Sequence, residues 1–408
     1  MTQHHAHQRI NLADLANQVM MDRGLRPFFS DGALHQLDQI KEPALSSSPN
    51  SKDLTDLLWC SIDNDDSKDL DQLTVSESHA HGEVTIMVAI ADVDSLVKKG
   101  SPIDEQALAN TTSVYTSAKI FPMLPEKLST NLTSLNPDVR RPAMVVEMRF
   151  DAKGELQKYD VYMATVLNKS KLAYDAVSEW IENVGALPSE AACVKGMDAQ
   201  LRVQDHLAQL LKKKRSQAGS LNFETFQPRA EFEGEKITRL STQPHNRARQ
   251  LIEEFMIAAN ECITQFLIAH GGASLRRVVR SPERWARIVE VALQHGENLP
   301  EVPDSIALEK FLAKQHQLDP LRFPDLSLVI IKLMGRGEYV VERHNQKPIG
   351  HFGLALKNYT HSTAPNRRYP DLITLRQIKA ILAKEAPPYS NRELDDLASH
   401  CTCLLYTS

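Results

Sequence analysis

Five carboxylates fall within nine residues of this chain, Asp63, Asp65, Asp66, Asp69 and Asp71, with only Lys68 to offset them. Charges packed so closely repel one another unless they are fully solvated or gathered around a cation. The run leaves an apolar stretch, Leu57 to Cys60, that reads as a buried strand. A second strand-like stretch, Val84 to Ile90, ends in a further acidic pair, Asp92 and Asp94. Carboxylates at strand ends are held stiffly, and hard oxygen donors suit Mg²⁺ or Mn²⁺. The ligands that zinc prefers are limited nearby to Cys60, His79 and His81. An EF-hand calcium loop is disfavoured, because it needs Gly at its sixth position and Glu at its twelfth, where this chain has Lys68 and Thr74. On spacing alone, a catalytic divalent site and a solvated acidic turn stand about level.

Motifs further along the chain add to that balance. Asp53-Leu-Thr-Asp56, the acidic run itself, Ile90-Ala-Asp92, Thr112-Ser-Val-Tyr115, Phe121-Pro-Met-Leu-Pro-Glu-Lys-Leu-Ser129 and Ser134-Leu-Asn-Pro137 come first. Ile252-Glu-Glu-Phe-Met256, Gly350-His-Phe-Gly-Leu354 and the segment from Tyr359 through Arg367 to Asp371 follow in order. In types and order they resemble the RNase II/RNase R (RNB) family of hydrolytic 3′→5′ exoribonucleases, over about residues 50 to 385. The resemblance implies metal-binding positions at Asp63, Asp69 and Asp71. The family's fourth aspartate is replaced by Gln72, whose amide oxygen can still ligate Mg²⁺ but brings no charge. Asp71 is implied to be the residue most directly tied to catalysis.

The same resemblance assigns Arg367 to the scissile phosphate, a task for which a guanidinium fork is well shaped. The residues before it depart from the family's Ser-Pro-Ile, reading Ala364-Pro365-Asn366. Tyr115 corresponds to an aromatic on which a terminal base stacks. Tyr174 and Glu253 correspond to positions near the ribose, where a contact to the 2′-OH separates RNA from DNA. On a helix from Arg249 to Phe266, Ile252, Phe255, Met256, Ala259, Ile263 and Phe266 share an apolar face. Glu253 borders that face and Glu254 is expected to point away.

Strand-like segments at Met144–Phe150 and Lys158–Val166 precede helix-like ones near Asp175–Glu182, Gln200–Lys214, Arg249–Ala269 and Pro282–Gln294. Strands early and helices late predict an α+β class, with a mixed, largely antiparallel sheet packed by helices in the manner of an RNB domain. Residues 1–50 read as two short helices, Leu12–Arg23 and Gly32–Lys41, followed by a Ser-rich linker. Residues 51–385 form the catalytic domain. Residues 386–408 begin an extension expected to stop short of an S1-type RNA-binding module, its last few residues foreign to the native frame.

The 408 residues carry a net charge of −5. Any nucleic-acid path must then be local. Lys212–Arg215, Arg276 with Arg277 and Arg280, and Arg336 with Arg343 are candidates, each more often a solvated face than a phosphate track. Five cysteines without disulfide or zinc spacing, no spanning apolar run and no signal core fit a cytoplasmic protein. His4, His5 and His7 read as part of a disordered terminus. No Gly-rich phosphate loop opens a helix, so no nucleotide cofactor is expected.

The expected activity is metal-dependent degradation of single-stranded RNA from its 3′ end by a monomer, with Mg²⁺ or possible Mn²⁺ and release of nucleoside 5′-monophosphates. The rival from another class is a catalytically weakened RNA-binding protein on the same fold, with Gln72 as its first sign. A phosphoesterase for small molecules is weaker, because Tyr115 and the ribose contacts would then have no purpose.

Overall fold

In a computed structural model, the described residues are 11–44, 51–116, 118–224, 228–233, 236–242, 246–343 and 346–405, with backbone alone for the 228–242 hairpin. The N-terminal histidines and residues 45–50 of the linker lie outside them. A seven-stranded sheet organises the chain, in the order Lys52–Asp53, Leu156–Leu167, Arg140–Phe150, Val84–Ala91, Gln72–Ser78, Cys60–Asp63, Ser170–Ala173. The central pairings are antiparallel, whereas the two outermost are parallel. This is the mixed, largely antiparallel sheet that the sequence pattern predicts.

Val84–Ala91 is buried along almost its whole length. A continuous apolar run is what a central strand covered on both faces requires. Helices supply the cover: Arg247–Ala269 packs on the sheet and on Met197–Gln217, burying Leu251, Phe255, Ala259 and Ile263. A second, smaller core lies among three helices, Trp285–Gln294, Ser305–Leu318 and Phe323–Met334, where Ile288, Leu308, Phe311, Leu312 and Ile330 meet. Gly219 joins the two parts at φ +91°, and a Cβ there would stand 2.6 Å from Ser305 Oγ. Only glycine accommodates both conditions.

Most element boundaries shift by a few residues from their expected places, as at Arg140–Phe150 and Leu156–Leu167. The late antiparallel pair Ser274–Val279 with Gly337–Glu342 breaks the expected division into early strands and late helices. These two strands are separated by the whole three-helix unit, so no short hairpin signal marks them.

Candidate active site

The acidic run lies between the strands Cys60–Asp63 and Gln72–Ser78, and its backbone is pinned from below. Leu70 is buried, its N–H donates to Ser134 Oγ at 3.0 Å, and that hydroxyl donates to the Lys68 carbonyl at 2.8 Å. The Leu70 carbonyl accepts from the Leu135 N–H, and the Asp71 carbonyl from the Ala91 N–H. The Ser134-Leu-Asn motif is therefore the cradle of the loop. Carboxylates that would drift apart on a free turn are held by bonds to their own backbone.

Arg367 arrives from 296 positions beyond Asp71 in the sequence. Its backbone carbonyl accepts from the Ser113 N–H at 2.9 Å and from Thr112 Oγ1 at 3.0 Å, so Thr112–Tyr115 and the Arg367 segment are zipped together. Asp371 holds the other side. In the first turn of the Tyr369–Ala383 helix it accepts from the Ala364 N–H at 2.8 Å and from Arg368 Nη2 at 2.7 Å. Arg368 is thus a structural partner, leaving Arg367, with 44% of its side chain exposed, facing outward.

Three aspartates take three different neighbours. Asp71 is buried, accepts the Asn366 N–H on Oδ1 at 2.9 Å and faces Arg367 Nε through Oδ2 at 3.4 Å. Asp63 Oδ1 lies 3.5 Å from the Gln72 amide nitrogen. Asp69 accepts the Tyr115 hydroxyl at 3.1 Å. Burial pushes the Asp71 carboxyl up to about 7, with Asp69 and Asp371 adding to the rise, against the pull of Arg367 and the Asn366 N–H. Asp63 rises to about 7 by burial and then by repulsion from Asp69, despite Arg367 and Lys171. Both Asp63 Oδ2 and Asp71 Oδ2 are buried without a hydrogen-bond donor.

That combination fits a hard divalent cation. Two desolvated carboxylates with an unpartnered oxygen each, a third carboxylate beside them and the Gln72 amide make an all-oxygen donor set. Among the described residues no three His, Cys, Asp or Glu side chains already converge as a ligand shell. Asp69 Oδ2 is engaged by the Tyr115 hydroxyl, and its charge is felt by both Asp63 and Asp71.

Tyr115 keeps 54% of its surface exposed, so its ring offers an open face beside Asp69. Tyr174 lies on the other flank, immediately after Ala173, whose Cα pairs with that of Asp63. Burial and then the Asp63 charge push its phenol up. The guanidinium of Arg249 sits over its ring, 4.6 Å from the centroid.

The expected orientation of the two glutamates is reversed. Glu254 is buried and takes both Arg215 Nε and Nη2, at 2.7 and 2.6 Å, while Glu253 is 51% exposed with only Arg215 Nη2 at 3.5 Å. Glu253 contacts none of Asp63, Asp69, Asp71, Tyr115, Tyr174 or Arg367 through the hydrogen bonds and ion pairs of the described residues. The cause is an arginine on a neighbouring helix, which makes burial of Glu254 affordable.

The basic clusters change meaning too. Arg215 serves Glu254, Lys214 pairs with Glu155, Arg280 with Glu338 and Arg343 with Asp395, and Arg276 is buried. Asp92 and Asp94 hold Lys379, and Asp94 also Arg376. They form no second metal site. Sequence reasoning missed Asn64, Lys171, Arg249 and the Asn366 N–H as neighbours of the acids. None of these carries a local signal; the four-residue spacing of Arg249 and Glu253 would suggest a pair, but Arg249 goes to Asn64 and Tyr174 instead.

Comparison with known proteins places this fold in a family. The chain belongs to the RNB domain family, which it matches over residues 51–384. It is 34% identical to ribonuclease R of Escherichia coli over 370 residues, 86% of this chain and 44% of that protein. It is 32% identical to ribonuclease R of Aquifex aeolicus over 354 residues, 83% of this chain and 47% of that protein. The chain therefore spans a little under half the length of these two relatives. Among solved structures, the apo form of Mycoplasma genitalium RNase R superposes with a TM-score of 0.87 at 25% identity, covering 97% of this chain and 62% of that one. Yeast Ssd1, described as a pseudonuclease, has the same fold, with a TM-score of 0.77 at 18% identity over 96% of this chain and 48% of that one.

Proposed function

We propose that the chain is a hydrolytic 3′→5′ exoribonuclease of single-stranded RNA that releases nucleoside 5′-monophosphates and works with Mg²⁺ or Mn²⁺. The observation that carries this reading is the meeting of Asp71 with Arg367: a buried carboxylate whose pKa is raised to about 7, beside a half-exposed guanidinium 3.4 Å away. A structural ion pair has no reason to leave Asp71 Oδ2 without a hydrogen bond, whereas a cation site beside a phosphate-facing arginine has. RNA in complex with a relative supports the substrate class, since Mycoplasma genitalium RNase R was solved with ribose-methylated single-stranded RNA and with double-stranded RNA.

In this reading Asp63, Asp69 and Asp71 hold the cation, with Gln72 as a neutral fourth donor. When bound, a divalent cation would supply charge neutralisation at the phosphate while a water oxygen bonds to phosphorus and the 3′-oxygen leaves and takes up the water's proton. Arg367 presents its outward N–H groups to the phosphate oxygens and matches the charge that grows on them. The Asn366 N–H keeps Asp71 in place during this change. Tyr115 stacks the 3′-terminal base without regard to its identity, and Tyr174 reads the ribose, while the exposed Glu253 stands apart from the site residues. Among the described residues no helix is long and apolar enough to cross a membrane, and all five cysteines are free. Free cysteines are what a reducing compartment leaves.

A second reading, an RNA-binding protein that has lost catalysis, draws on Gln72, which offers Asp63 an amide where the family has a carboxylate. One experiment separates the two. With 5′-labelled single-stranded RNA and Mg²⁺, the enzyme yields products shortened stepwise from the 3′ end, and EDTA stops it. Binding without shortening at any Mg²⁺ or Mn²⁺ concentration would leave the second reading standing.

A further inference from the structure

Arg249 links three parts of the site that are remote in sequence. It belongs to the first turn of the Arg247–Ala269 helix, where its N–H donates to the capping side chain of Asn246 at 2.8 Å. From there its Nη2 donates to Asn64 Oδ1 at 2.6 Å, in the residue directly after Asp63. Its guanidinium plane covers the Tyr174 ring at 4.6 Å, and its Nε is buried without a hydrogen-bond partner. Asp63 and Ala173 are opposite one another in the parallel pair of strands, so Asn64 and Tyr174 are the first residues to leave two neighbouring strand ends. Arg249 spans both exits.

A tyrosine at the start of a short helix has two side-chain torsions to fix before its hydroxyl can meet a sugar. A planar cation that stacks on the ring and hydrogen-bonds to the adjoining loop fixes them in advance. Lysine could keep the charge but cannot stack a flat face and donate sideways at once. We propose that Arg249 is a positioning residue for sugar recognition: it clamps Tyr174 to the acidic loop, and preference for RNA over DNA belongs to the Arg249–Tyr174 pair. This deepens the exoribonuclease reading and rests on its assignment of Tyr174 to the ribose.

The test measures binding and cleavage separately. Equilibrium binding of matched RNA and DNA strands in EDTA is compared for the wild type, Arg249→Lys, Tyr174→Phe and the double variant. Single-turnover cleavage of the RNA in Mg²⁺ is followed in parallel. The wild type binds RNA in preference, each single variant lowers the RNA-to-DNA ratio by roughly tenfold, and the double variant lowers it no further, as for two residues acting as one unit. If Arg249→Lys folds poorly, Asn64→Ala, which removes the loop acceptor of Arg249 Nη2 and leaves Arg249 and Tyr174 in place, stands in for it and should lower the ratio in the same way.

A wild type without preference, an Arg249→Lys variant that weakens RNA and DNA by the same factor, or effects that multiply in the double variant would each overturn the clamp. Binding alone decides it. Failure of the wild type to cleave RNA, with the binding ratio behaving as expected, would instead remove the exoribonuclease reading while leaving the clamp intact.

Discussion

Two clusters of aspartate hang from strand ends of the same sheet, and they have met opposite fates. At the end of Val84–Ala91, Asp92 receives Lys379 Nζ at 2.8 and 3.0 Å, while Asp94 receives Lys379 at 2.9 Å and Arg376 Nε at 3.1 Å. Burial drives the Asp94 carboxyl upward, but Lys379, Lys98 and Arg376 outweigh it and hold it below the ordinary value. At the end of Cys60–Asp63 and the start of Gln72–Ser78, Asp63 and Asp71 are pushed up to about 7, each with a buried oxygen that accepts no hydrogen bond, although Asp71 has Arg367 Nε at 3.4 Å. The same residue type at the ends of strands of one sheet thus gives a settled ion network where cations are close enough to outweigh burial and a frustrated one where they are not. Unpaired burial is costly, so a fold that keeps it uses it.

The largest expected effect is on turnover, and it should fall on one cluster alone. Asp71→Asn removes a carboxylate while keeping an oxygen to accept the Asn366 N–H, and cleavage should fall by roughly 10²-fold or more with RNA binding intact or slightly tighter. Asp94→Asn should leave the rate per folded molecule within a few-fold of wild type. Single-turnover kinetics with both variants check the contrast. A working Asp71→Asn enzyme would mean that the two clusters differ in electrostatics but not in role.

Stability should respond the other way round. Lys379→Met strips Asp92 and Asp94 of their shared cation inside the protein, and loss of one partner from a buried pair costs about 3 kcal/mol or more. Denaturant unfolding should show it as a lower midpoint with an unchanged slope. Replacing Asp71 should do the reverse when no divalent cation is present. The Asp71 carboxyl titrates near 3.8 when unfolded and at about 7 when folded, so native wild type holds a proton that the unfolded chain has lost, and stability falls as pH rises between those values.

Asp71→Asn escapes that loss. In EDTA its melting temperature should exceed that of wild type by a few degrees at pH 8, with the gap closing toward pH 4. Asp94, held low, gives the opposite sign: its contribution is intact above the ordinary carboxylate value of 3.8 and is lost only on further acidification. Melting curves of Asp71→Asn and Asp94→Asn beside wild type from about pH 2 to pH 8 would expose an error in either direction.

What could be read in advance divides along physical lines. That Asp71 and Arg367 meet was legible, because both stand in short motifs whose types and order resemble those of one family. The sheet was legible because long apolar strands announce themselves. Arg215 was not, since its meaning depends on a carboxylate 39 residues away on another helix, and without it the helical periodicity put Glu253 at the core's edge and Glu254 in solvent. The packing of Asp94 against Arg376, 282 residues on, was equally invisible. Local pattern reveals which face is apolar, whereas only tertiary structure reveals which buried charge has found a partner.

The smallest predicted effect concerns the residue that most weakens the frustrated cluster's charge. Gln72 starts the strand Gln72–Ser78, opposite Ile90, and its amide nitrogen reaches toward Asp63 Oδ1 at 3.5 Å, a contact at the outer limit of a hydrogen bond. Little is lost by removing so long a contact. A carboxylate at the same place adds one negative charge to a hard-cation site and should raise affinity for Mg²⁺. Gln72→Asp is therefore expected to reach half-maximal activity at a several-fold lower Mg²⁺ concentration, with little change in the plateau rate. Its melting temperature in EDTA should drop below that of wild type, because another buried-side carboxylate joins Asp63 and Asp71 in mutual repulsion. The two measurements must move together. If the metal requirement is unchanged while the EDTA melting point falls, Gln72 lies outside the cation's reach, and the contrast between the clusters rests on Asp63, Asp69 and Asp71 alone.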